Sequence, residues 1–127
     1  MNTIIIGEDV LDRLRDRDPR FHESAYLFVL ASLSHVMSGL DQPRHISGAE
    51  LAEGVRDLSV DRFGPMARTV LEHWGIGRTT DVGEIVFALV DLGVLVKQDH
   101  DVMDDFSDVY DFDEAFEKDY PWGPGRS

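Results

Sequence analysis

Apolar residues recur at helical spacing along most of this chain. In EDVLDRLRDR, Val10, Leu11 and Leu14 share one face and charges of both signs surround them, which predicts a short helix from Glu8 to Arg17. Ile4–Ile6 can extend that helix or pair as a strand, with Gly7 at the join. Asp18-Pro19 then offers an N-cap and a first-turn proline for a second helix, RFHESAYLFVLASLSHVMSG. There Ala25, Val29, Leu33 and Val36 make a stripe that Tyr26, Leu30 and Met37 widen, so this helix is expected to be buried around much of its circumference. Ser47 and Glu50 form the S-x-x-E capping box of a third helix, whose apolar side is Leu51, Ala52, Val55, Leu58 and Phe63. Gly64-Pro65 breaks it and starts a fourth, with Met66, Ala67, Val70, Leu71 and Trp74 facing inward and Gly75 as its C-cap.

The remaining pattern changes period. Thr79-Thr80-Asp81, followed by Glu84, caps a fifth helix over 81–92 that Gly93 closes. VLVKQ at 94–98 reads as a strand, and FSDVYDF beyond the polar turn DHDVMDD reads as its hairpin partner. DEAFEK supplies a last helical turn before a terminus rich in proline and glycine. The expected fold class is mainly α (α+β): a winged-helix-like helical domain with a small antiparallel β-hairpin. The expected organisation is a single domain over 1–127, with N-terminal helices in 1–46, a winged-helix-like core in 47–112 and an acidic, aromatic tail in 113–127. Phe63-Gly64-Pro65 leaves no room for the strand that winged helices usually carry between their first two helices.

Composition narrows the function. The 127 residues carry 12 Lys and Arg against 25 Asp and Glu, a net charge of −13, and residues 99–127 hold 10 of the acidic side chains but only 2 basic ones. Nucleic-acid affinity depends on basic groups displacing counterions from phosphates, so nucleic acid is a disfavoured partner. A surface of this sign favours basic partners instead. With no cysteine, disulfides, thiolate nucleophiles and zinc-thiolate sites are all ruled out. The start MNTIIIGEDVLDRL lacks a basic leader and a long apolar run, so neither a signal peptide nor a membrane span is expected, and a cytoplasmic setting follows.

The fifth helix sharpens the point. A groove-reading helix exposes Arg, Lys, Asn or Gln to base edges. DVGEIVFALVDL leaves Asp81, Glu84, Ala88 and Asp91 opposite its apolar positions, a row that repels phosphate. In Arg13, Arg15 and Arg17 the basic residues alternate with Asp12, Asp16 and Asp18, the pattern of a salt-bridged solvated helix. The acidic row, together with Asp108, Asp111, Asp113, Tyr120 and Trp122 from the aromatic-acidic segment after residue 104, is the predicted contact surface for a basic protein. Phe106, Tyr110 and Phe112 can at the same time face inward, with Phe116 and Trp122 pinning the tail.

Catalytic signatures are missing. The sequence has no G-x-S-x-G, phosphate-binding loop or dinucleotide fingerprint, and its serines have no base nearby in sequence. The histidines at 22, 35, 45, 73 and 100 show no H-x-x-x-H spacing, so only residues distant in sequence could assemble a metal site, and neither metal nor cofactor is expected. A calcium loop starting at Asp99 would place Met103 fifth, Asp104 at the glycine position and Tyr110 twelfth, which fails the template. Asp99, Asp101, Asp104 and Asp105 could bind a divalent ion only weakly and unspecifically. The leading expectation is thus a non-enzymatic protein-interaction domain. The alternative is a small-molecule sensor or enzyme with a pocket built from Tyr26, Arg44, His45, His73 and Trp74, in which Arg44-His45 would present an anion to a helix N-terminus.

The segment from about residue 20 to 116 resembles an uncharacterised family of small bacterial proteins, found chiefly in planctomycetes and verrucomicrobia. FGPMARTVLEHWGI and DVGEIVF carry the resemblance. It implies a bacterial cytoplasmic protein and transfers no catalytic or binding role to any residue.

Overall fold

The computed structural model describes residues 2–3 and 8–118, and among these it is mainly helical. Five α-helices follow in order: α1 (Glu8–Arg17), α2 (Glu23–Ser38), α3 (Gly48–Phe63), α4 (Ala67–His73) and α5 (Thr79–Asp91). Two short strands, β1 (Asn2–Thr3) and β2 (Leu95–Val96), pair antiparallel, with Asn2 opposite Val96 and Thr3 opposite Leu95. A 3-10 turn at Gly64–Met66 joins α3 to α4, a second lies at Met103–Phe106, and a π-helical turn spans Glu114–Lys118.

Local chemistry accounts for most helix ends. The Ser47 hydroxyl accepts from the Glu50 amide while Glu50 Oε1 accepts from the Ser47 amide, so both halves of the capping box are made. Gly64 at φ 56° and Pro65 end α3 where the sequence predicts. The start of α2 differs from expectation. His22, not Asp18, is the N-cap: its Nδ1 accepts from the Ser24 amide at 3.0 Å. Asp18 instead accepts from the Arg20 amide at 3.1 Å, turning the chain between α1 and α2. The fifth helix begins two residues earlier than predicted, with Arg78 at its N-cap.

The core is one cluster running from Leu14 to Phe116. Helix α2 contributes Ala25, Tyr26, Phe28, Val29, Leu30 and Leu33, the broad burial its sequence implies. It packs closely on α3, because Gly54 offers no side chain where Val36 approaches; a Cβ there would lie 2.3 Å from Val36 Cγ2. Phe28, Phe63 and Trp74 form a three-ring cluster with centroids 5.5–5.7 Å apart, binding α2 to the α3–α4 junction. Met66, expected on the inner face of α4, is exposed because the 3-10 turn rotates it outward.

The hairpin is the main correction. β2 pairs with the N-terminal β1, and 106–112 holds no strand. The alternation of FSDVYDF is used differently: Phe106 and Phe112 drop into the core from a non-strand segment laid across α5 and α3. The Thr79 hydroxyl fastens this segment by donating to the Phe106 carbonyl at 2.6 Å and accepting from the Val109 amide at 3.3 Å. Gly83 allows the approach, since a Cβ there would meet the Phe106 ring at 2.8 Å. Among the described residues no helix is long and apolar enough to cross a membrane.

Candidate functional site

The acidic row predicted along α5 is largely paired within the chain rather than left open. Asp81 is buried, and its Oδ2 accepts from the Gly77 and Arg78 amides at 2.9 and 3.2 Å. The first-turn carboxylate thus reaches back onto the amides of the N-cap and the residue before it, which pulls it out of the exposed row. Ala88 is buried as well. Glu84 ion-pairs with Arg20, which also lies 3.5 Å from Asp81, and Asp91 ion-pairs with Arg17. The expectation of an open negative edge at Asp81, Glu84 and Asp91 is therefore corrected: Arg17, at the end of α1, and Arg20, in the α1–α2 connection, neutralise it. Sequence reasoning passed over Arg17 and Arg20 in this role, because nothing local pairs them with residues 61 to 74 positions away.

The pocket expected around Tyr26, Arg44, His45, His73 and Trp74 does not assemble. Tyr26 is buried under α5, Trp74 is locked between Phe28 and Phe63, and His73 is exposed at the end of α4. Arg44 reaches Glu50 with both terminal nitrogens, so the anion beside the α3 N-terminus is the protein's own carboxylate. The Arg44 guanidinium, with the Ser47 amide, holds the Glu50 carboxyl down at about 2. His45 alone keeps a polar partnership of interest: its Nε2 lies 2.9 Å from Asp101 Oδ1.

A different set of the predicted contact residues does come together. Asp108, Asp111 and Asp113 line a groove of about 550 Å³ between the N-terminal turn of α5 and the 108–114 segment, with Glu114 added. Arg68, Arg78, Thr79, Thr80 and Tyr110 form the rest of its polar lining. Each acid is placed by a backbone device. Asp108 sits at φ 48°, which swings it out of the chain direction and leaves it exposed. Asp111 Oδ1 accepts from the Asp113 and Glu114 amides at 2.8 and 3.3 Å, so it caps the last helical turn. Asp113 ion-pairs with Arg68, which also reaches Glu72. Four carboxylates thus face two guanidiniums, and Arg78 stands 3.8 Å from buried Asp81. The balance is negative.

Aromatic rings support the groove from below. Tyr110 stacks on Phe112 at 5.8 Å, and both meet Phe116 edge-on at 6.2 and 4.9 Å. The Tyr110 hydroxyl donates to the Ala52 carbonyl at 2.9 Å, and burial pushes its ionisation far above the ordinary phenol range. Arg56 Nε donates to the Ala115 carbonyl at 3.3 Å, a further tie between α3 and the last turn. The predicted contacts Tyr120 and Trp122 lie outside the described residues. The chain matches no family model, no curated protein and no solved structure.

Proposed function

We propose that this protein is a non-enzymatic interaction module that docks a basic protein segment in the groove formed by Asp108, Asp111, Asp113 and Glu114. The observation that carries the reading is the convergence of these acids on one concave surface whose two guanidiniums already lie close to carboxylates. A partner Lys or Arg would find two acids, Asp108 and Glu114, with no ion-pair partner among the described residues, in a groove that also presents Tyr110. A cation held near such a ring gains from its quadrupole as well as from the carboxylates. Steering by the net charge of −13 would accelerate encounter with a basic segment.

Nucleic acid fits this molecule poorly. On a winged-helix-like reading α5 would be the groove-entering helix, yet Thr79, Asp81, Val82, Gly83, Ile85, Val86, Ala88 and Leu89 are all buried. The arginines at 17, 56, 68 and 78 stand against carboxylates rather than gathering on an open face. The family resemblance would place the module in a bacterial cytoplasm, as a single domain.

The test is fluorescence-polarisation binding of a panel of labelled peptides, Lys/Arg-rich, neutral and acidic, to the full chain. The basic peptides should bind, weaken as salt is raised, and weaken at least about tenfold with D108K/E114K, since each reversed charge replaces an attraction with a repulsion. Equal binding of all three peptide classes, or indifference to D108K/E114K, would overturn the proposal.

A further inference from the structure

A second group of side chains, none of them lining the groove, meets across a long sequence gap. His45, from the loop before α3, and His100 and Asp101, from the turn after β2, bring one ligand atom each to within 4.8 Å of one another. We infer that this trio is a binding site for a divalent transition-metal ion of the zinc type, held by two imidazoles and one carboxylate.

Three features support it. First, the donor set is right: two neutral nitrogens and a carboxylate oxygen with an open position is an arrangement zinc and its neighbours accept. Second, Asp101 is kept as an aimed carboxylate although it is 4% exposed. Its Oδ2 accepts from the Gln98 amide at 2.8 Å, which turns Oδ1 toward His45 Nε2. Backbone support of this kind is what orients ligands around bound metals. Third, His100 is exposed and its ring stands edge-on to His45 with centroids 5.4 Å apart, so it can swing in.

The adjustment needed is small. Tetrahedral ligands at zinc distances lie about 3.4 Å from one another, between the 2.9 Å of the His45–Asp101 contact and the 4.8 Å limit of the trio. Rotation of the exposed His100 ring supplies the closure. Of the cations nearby, Arg44 is matched by Glu50 and the Lys97 ammonium donates to the Gln98 carbonyl, while Asp99 adds a further negative charge beside the turn. An ion here would clasp the loop before α3 to the turn after β2, and its remaining coordination position would face solvent on the His100 side. The alternative is that His45 and Asp101 serve only as a hydrogen-bonded latch.

Tag-free full-length protein, stripped with chelator, would be titrated with Zn(II) by calorimetry and with Co(II) by visible absorption. The inference predicts one equivalent of either metal and a rise in Tm with Zn(II) but not with Mg(II). H100A, at an exposed position, should leave the metal-free Tm unchanged and weaken Zn(II) binding at least about tenfold, because a three-ligand site loses a third of its donors. D101N should weaken it likewise, while H73A should not. Binding that is insensitive to both H100A and D101N, or no saturable binding at micromolar Zn(II), would overturn the inference and leave the latch.

Discussion

At the scale of single residues, carboxylates in this protein are held by arginines and backbone amides together, and hydroxyls mostly by backbone carbonyls. Glu50 shows the consequence most directly. Its carboxyl is depressed to about 2, first by Arg44 and then by the Ser47 amide. A depressed acid contributes stability above its unfolded value of about 4.3, and that contribution is lost as pH falls through the folded value. Because the Glu50 side chain is 35% exposed, solvent screens the pair, and E50Q should cost only about 1 kcal/mol at neutral pH. Urea melts of wild type and E50Q should differ at pH 7 and converge by about pH 2. Tyr26 makes the converse case. Its hydroxyl is buried with no partner among the described residues, so Y26F should be neutral or stabilising by up to about 2 kcal/mol. A loss of stability beyond about 1 kcal/mol would show that the hydroxyl is bonded after all.

At the scale of elements, capping chemistry made the helices legible and tertiary contact decided the rest. Ser47 with Glu50 and Gly64-Pro65 are local signals, and the structure uses them as the sequence suggests. The segment 106–112 was not legible, because alternating aromatics suit a strand and equally suit an irregular segment that buries every anchor it carries. Only the partner decides, and β2 pairs with β1 instead. Asp81 misled in a related way: helical periodicity puts it opposite the apolar face, but a first-turn acid can fold back onto the amides just before the helix. Thr79 has no sequence signal at all for its role in fastening 106–109. Its loss in T79V leaves a buried carbonyl unpaired and should lower stability by about 1–3 kcal/mol, measured as a shift in urea midpoint. G83A should cost a similar amount, roughly 1–3 kcal/mol, by forcing the Phe106 ring away from α5. Loss of near-ultraviolet signal from the aromatic cluster would accompany both.

At the scale of the whole molecule, charge sign was legible from composition and charge placement was not. The α5 acids are neutralised by Arg17 and Arg20, while the negative concavity lies at Asp108–Glu114. The histidine–aspartate trio was invisible to spacing rules, since His100 lies 55 positions beyond His45. The central claim is that the concavity, rather than net charge alone, recognises a basic segment. Its most direct measurement compares peptide affinity for D108K/E114K with that for a variant reversing two exposed acids elsewhere, D12K/D16K, which has the same net charge. A loss of at least about tenfold for the first pair and about threefold or less for the second is the predicted result. Equal losses for both pairs would mean that overall charge does the work, and would contradict the account.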